Sequence, residues 1–133
     1  MMTSVRVRDE TIFRSAAPAV EFSLEVPTMR VTVRELLRSR IYSEVNDYNL
    51  DQADYFKGLV QPDETESTRD GYRMGRGRVL DPQRQFEQAV RAFTQNGFMI
   101  LVDDAQVDDL DHVVELGEHS VVTFLKLIPL VGG

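Results

Sequence analysis

A chain of 133 residues with 42% apolar side chains can bury one sizeable core, and a single domain over residues 1–133 is expected. It has no cysteine, which excludes disulfides, a cysteine nucleophile and thiolate metal sites, and its net charge of −7 argues against nucleic acid as a main partner. No apolar run approaches the roughly 18–20 residues of a membrane span. The start, MMTSVRVRDETIF, lacks the apolar stretch of a secretory signal, so a cytoplasmic location without a membrane partner is expected.

In chain order, VRVRDETIF over Val5–Phe13 opens with apolar–polar alternation and predicts a strand. VEFSLEV over Val20–Val26 alternates throughout, with Val20, Phe22, Leu24 and Val26 on one face; this predicts a half-buried strand, paired antiparallel to the first across RSAAPA. Thr32 and Glu35 have the spacing of a capping box. Val33, Leu36, Leu37, Ile41, Val45 and Tyr48 then recur at steps of three and four, which predicts a helix from about Val33 to Tyr48. Gln61–Arg78 has almost no apolar residue. It promises too little burial to offset its ordering entropy and is expected to be a mobile loop. The GYRMGRGR within it follows no obvious strand and opens no helix, so a solvated loop is favoured over a phosphate cradle.

Order returns with Asp81 as a helix N-cap, Pro82 at the first helical position and an apolar stripe of Phe86, Ala89, Val90 and Phe93. Asn96-Gly97 stops that helix. FMILV over Phe98–Val102 predicts a buried strand, DDAQV a polar turn with a short strand, and SVVTFLKLIP over Ser120–Pro129 the last strand, whose length suits the interior of a sheet.

Charge is unevenly spread. Between Phe98 and Leu125 there is no Lys or Arg but seven acids, Asp103, Asp104, Asp108, Asp109, Asp111, Glu115 and Glu118, so that the rest of the chain balances. One reading is a solvated acidic face. The other is a partner surface at Asp108, Asp109 and Asp111, where charge steers a basic protein in. His112 and His119 are the only histidines, and neither has a carboxylate pattern for metal, so no metal ligands are expected.

The order of elements is a hairpin, a long helix, a loop with a second helix, and then strands. It predicts an α+β protein with a β-grasp mixed sheet, one main helix, and an inserted loop-helix segment at about 49–97. Without that insertion roughly 80 residues remain. The sequence LVDDAQVDDLDHVVELGEHSVVTFLKLIPLVGG then resembles the C-terminal half of the sulfur-carrier small subunit of molybdopterin synthase. It is similar also to the thiamine sulfur-carrier protein and, more distantly, to ubiquitin. Leu116, Gly117, Glu118, Val121, Phe124, Pro129, Val131, Gly132 and Gly133 carry the likeness, and EFSLEVPTMRVTVRELL resembles those proteins' second strand and helix start. The chain departs from them in its long insertion, in one proline where the carriers have two, and in the absence of arginine from PLVGG.

The resemblance implies that the chain is not an enzyme but a protein substrate, with no catalytic residue and no bound cofactor in its folded body. Its reactive terminus would be Gly132-Gly133. The partner, a ubiquitin-activating-like enzyme that adenylates the carboxylate, uses ATP and contacts Pro129, Leu130 and Val131. Two glycines give the thinnest and most pliable ending. Pro129 ends strand pairing, and a flexible tail over 129–133 extends roughly 16–18 Å. A protein modifier implies a conjugating enzyme and a deconjugating protease besides. A sulfur carrier would instead form a C-terminal thiocarboxylate for molybdopterin- or thiamine-type biosynthesis, with the large subunit of molybdopterin synthase as a partner. A non-covalent β-grasp binding module is the third reading. Only Lys57 and Lys126 are lysines, which leaves few amines for self-attachment.

Overall fold

The computed structural model describes residues 3–11 and 19–127. It is an α+β protein with a mixed sheet of five strands and two helices. Strand β1 (Thr3–Thr11) pairs antiparallel with β2 (Val20–Val26), Val7 opposite Phe22. A short β3 (Arg30–Thr32) leads directly into α1 (Val33–Asp51). Three more short strands follow, β4 (Tyr55–Phe56), β5 (Glu66–Thr68) and β6 (Gly71–Arg73), then α2 (Pro82–Thr94). The chain continues through β7 (Phe98–Val102), β8 (Ala105–Val107), β9 (Val113–Glu115) and β10 (Val121–Lys126). The main sheet runs β2-β1-β10-β7-β8. The central β10 is parallel to β1 and antiparallel to β7.

Local sequence accounts for these elements. The Thr32 hydroxyl accepts from the Glu35 N–H at 3.1 Å and starts α1. Gln52, left-handed at φ 48°, closes it by donating its N–H to the Tyr48 carbonyl. Asp81 caps α2 through the Gln83 N–H, with Pro82 at the first position. The β7–β8 hairpin turns on Asp103 and Asp104 at φ 50° and 69°, both in the left-handed region that such two-residue turns require.

The predicted α1 stripe, Val33, Leu36, Leu37, Ile41, Val45 and Tyr48, is buried against the sheet's Val7, Leu24, Val26, Ile100, Val122 and Phe124. Residues Phe86, Ala89 and Phe93 of α2 enter the same core.

Three expectations change. The helix predicted to end at Tyr48 continues to Asp51. Leu24 and Val26 are buried, but Val20 and Phe22, predicted on the same face, are 57% and 36% exposed; their stretch of sheet lies over a charged cluster rather than over apolar residues. The segment Gln61–Arg78, expected to be a mobile loop, contains β5 and β6, which pair with β4 in a sheet of order β4-β6-β5. Pro62 and Met74 are buried there. Arg78 donates to the Asp63 and Glu64 carbonyls, and the Met74 N–H to that of Asp54. Backbone pairing and polar satisfaction order the segment where apolar content does not. The β3–β9 pair, Arg30 opposite Glu115, is too short to show as periodicity.

Candidate functional site

Pro129, Leu130, Val131, Gly132 and Gly133 lie outside the described residues. What the structure places is the root of that tail. Strand β10 ends at Lys126, opposite Thr11 of β1 and Phe98 of β7. The Leu127 N–H then donates to the Gly97 carbonyl at 3.1 Å. The chain therefore leaves the middle of the sheet at one end, beside the α2–β7 corner.

The three acids expected as a partner surface sit in the β8–β9 connection, against the start of α1. Carbonyls of Leu110 and His112 accept the Arg34 and Val33 N–H groups at 2.8 and 3.0 Å, satisfying donors that the first helical turn leaves open. Asp111 pairs with Arg34 at 3.2 Å. Asp109 accepts the Asp111 N–H at 2.9 Å. Together with Asp108 they line an open groove with Arg34, Phe93, Thr94, Asn96, Phe98 and Met99. Asn96 and Phe98 flank Gly97, so this groove adjoins the tail root.

Other acids of the unbalanced stretch are structural. Asp103 accepts from the Ser120 hydroxyl and the Val121 N–H, both at 2.9 Å, and Glu115 lies 3.8 Å from Arg30. Part of the acidity is thus neutralised within the fold, and the carboxylates of Asp104, Asp108 and Glu118 stay exposed.

On the other side of the tail root lies a cluster of buried charges that was not anticipated. Arg40 of α1 is 2% exposed. Its guanidinium holds the Asp9 carboxylate of β1 with two nitrogens and donates through Nε to Glu44 at 3.2 Å. It is stacked between the rings of Phe22 and Phe124, 5.2 and 4.7 Å from their centroids. Burial pulls the Arg40 pKa down, but Glu44 and Asp9 outweigh it and leave it raised. Burial pushes the Glu44 carboxyl above its ordinary range, against the pull of Arg40 and of the Leu59 N–H, which Glu44 accepts at 2.9 Å. Lys126, the last residue of β10, completes the group. Its ammonium donates to the Gly58 carbonyl at 3.4 Å, and burial lowers its pKa while Asp9 opposes this. A signal existed in the sequence: Arg40 and Glu44 are four apart and fall on the apolar stripe between Leu37 and Tyr48. Charged residues at core spacing are the mark of an internal pair.

Among the described residues no group of three His, Cys, Asp or Glu side chains is arranged to hold a metal ion, and no helix is long and apolar enough to cross a membrane. His112 and His119 are exposed. No protein-family model, no curated protein and no solved structure matches the chain.

Proposed function

We propose that this chain is a β-grasp, ubiquitin-like protein whose Gly133 carboxylate is adenylated by an activating enzyme and passed to an amine of a target protein. The observation that carries the reading is the place of β10: central, parallel to β1 and the last of the described strands. A strand so placed ends at Lys126, and Leu127 after it lies beside an acidic groove suited to a basic partner. The helix α1 across one face and the strand order β2-β1-β10-β7-β8 accord with the β-grasp expectation.

The chemistry needs little of the folded body. The carboxylate oxygen attacks the α-phosphorus of ATP and releases pyrophosphate. A nucleophile then attacks the acyl carbon, and AMP leaves with the bonding pair. With an amine the product is an amide. With sulfur it is a thiocarboxylate, the product of the sulfur-carrier reading, which the IPLVGG ending favours.

Intact mass of the full chain, incubated with ATP and extract of its own cells, separates these fates. A modifier appears joined to another protein with loss of water, through a bond that survives thiol reductants. A carrier gains the mass difference between sulfur and oxygen. Deleting Gly133 is expected to abolish either product. A deletion that keeps full biological activity overturns both and leaves the non-covalent binding module.

A further inference from the structure

We propose that Lys57 is the side-chain amine at which this chain itself accepts an acyl group, and that the segment between α1 and α2 displays Lys57 while covering Lys126, the only other lysine. The proposal rests on the activated-tail reading, and it gives the 52–81 segment a function within it.

The two amines are near each other and differently placed. Lys57 is exposed between two buried residues, Phe56 and Gly58. Its backbone is fixed: Phe56 belongs to β4, and the next residue but one, Leu59, donates its N–H to Glu44. The side chain thus projects from a rigid support. Lys126 is partly buried, and the covering atom is the Gly58 carbonyl, one residue from Lys57.

The cover matters because of what lies beneath it. Lys126 lies among Asp9, Arg40 and Glu44, and its desolvation lowers the ammonium pKa. Lys126 is thus held back from an acyl carbon while the cover is in place. It is also at the foot of the strand that leads to the reactive carboxylate. An uncovered Lys126 would compete for the acyl group.

Gly58 is the hinge of this arrangement. A Cβ at that position would come within 2.1 Å of the Phe56 ring and 2.8 Å of the Glu44 carboxylate. Only glycine lets the carbonyl lie over Lys126 while Leu59 reaches Glu44.

The step itself balances. The unprotonated Nζ of Lys57 attacks the acyl carbon of a second copy's activated terminus. The C–N bond forms, the bond to AMP breaks, AMP keeps the electron pair, and nitrogen gives up one proton to solvent. ATP and an adenylating enzyme supply the activation.

Two measurements on the full chain test the proposal. In the first, amine accessibility is read by timed acetylation with an N-hydroxysuccinimide ester and peptide mass mapping. Lys57 is expected to label at least about tenfold faster than Lys126, whose reaction requires local opening of the 52–81 segment. Gly58→Val should raise Lys126 labelling toward that of Lys57. Glu44→Gln, which removes a charge but not the shape, should raise it as well, and covers the case in which the valine variant does not fold. Lys126 labelling as fast as Lys57 in the native chain, or staying unchanged in a folded variant, overturns the proposal. In the second measurement the chain is prepared as its C-terminal thioester with 2-mercaptoethanesulfonate, and the lysine-linked conjugates that form between copies are mapped. They are expected at Lys57 and lost in Lys57→Arg. Conjugates at Lys126 of the native chain overturn the assignment. Neither measurement uses an activating enzyme, so failure here is distinct from failure of the Gly133 deletion test.

Discussion

The five-stranded sheet with α1 and the segment of residues 52–81 are held in different ways. The first rests on apolar burial: Val7, Val26, Leu36, Leu37, Ile41 and Phe124 are all 0% exposed. The second adds Phe56, Leu59, Val60, Met74 and Leu80 to the same core, with the Phe56 ring edge-on to Tyr48 of α1 at 5.6 Å, but is tied to the rest by directed polar contacts as well. Asn49 of α1 donates to the Leu80 carbonyl and accepts its N–H, both at 2.9 Å. Gln85 of α2 donates to the Val60 carbonyl at 3.4 Å, and Glu44 holds the Leu59 N–H. Apolar burial is non-directional and scales with area. Hydrogen bonds add little each when made but cost much when a buried partner is left alone. The two regions should therefore fail differently under mutation.

Where the regions meet, Arg40 should give the largest effect. Arg40→Ala leaves Asp9 and Glu44 with only the more distant Lys126 ammonium as counter-charge, at a cost of about 3–5 kcal/mol for breaking a buried ion pair. Denaturant unfolding checks this, and pH sharpens it. The folded state already holds the Glu44 carboxyl above its ordinary range, and loss of Arg40 raises it further. A carboxyl raised on folding favours the folded state at low pH, and that contribution is lost as pH rises through the folded value. The deficit of Arg40→Ala should thus widen from acid to neutral pH. A pH-independent deficit would mean that the loss is one of packing against Phe22 and Phe124. Arg40→Lys should not restore stability, because a single ammonium cannot make the paired contact to Asp9.

Next in size is the apolar region alone. Leu37→Ala removes a fully buried side chain and is expected to cost about 2–5 kcal/mol. Its deficit should be nearly flat with pH, since no titrating group is involved. Asn49→Ala should cost less, about 1–3 kcal/mol, for the two main-chain groups of Leu80 it leaves unpaired. It should also raise hydrogen exchange within 52–81 more than within α1. Equal exchange changes in both would show that the segment and the sheet open together rather than as separate units.

These contrasts also explain what was legible in the sequence. The stripe of α1, the cap at Thr32, the Asp81-Pro82 start of α2, the β1–β2 hairpin and the five residues of β7 show in local periodicity and capping chemistry. Each depends on neighbours within a few positions. What was not legible depends on partners far apart in the chain. Arg40 meets Asp9 across 31 positions, Lys126 meets Gly58 across 68, and Arg34 meets Asp111 across 77. The Gln61–Arg78 segment is polar, and composition alone marks it as a loop. Its order comes from main-chain pairing and from carbonyls that Arg78 collects. Of the site, the three acids were legible as a charge imbalance. Their sharing of one groove with Phe93 and Met99 beside the tail root was not.

The smallest expected effect lies on the surface of the polar region. Asp63 takes the Arg84 Nε at 3.0 Å and the Gln88 amide, tying 52–81 to α2 from outside. Both charged side chains are about half exposed, at 51% and 49%. The Arg84 hydrogen bond holds the Asp63 carboxyl below its ordinary range, with Gln88 assisting. For a depressed carboxyl the stabilising contribution is present above the unfolded pKa and is lost as pH falls through the folded one. Water and salt screen an exposed pair strongly, and side-chain entropy opposes it. Arg84→Ala should consequently shift the melting temperature less than Asn49→Ala does. The shift should shrink in high salt and vanish at acid pH, where Asp63 is protonated. The opposite pH trend from Arg40→Ala is not expected, since both deficits fall toward acid; salt is what tells them apart. The buried Arg40 deficit should survive added salt and the Arg84 deficit should not. An Arg84 effect that matched Asn49 and resisted salt would place the hold on 52–81 at its surface instead of at the Leu80 and Leu59 contacts beneath.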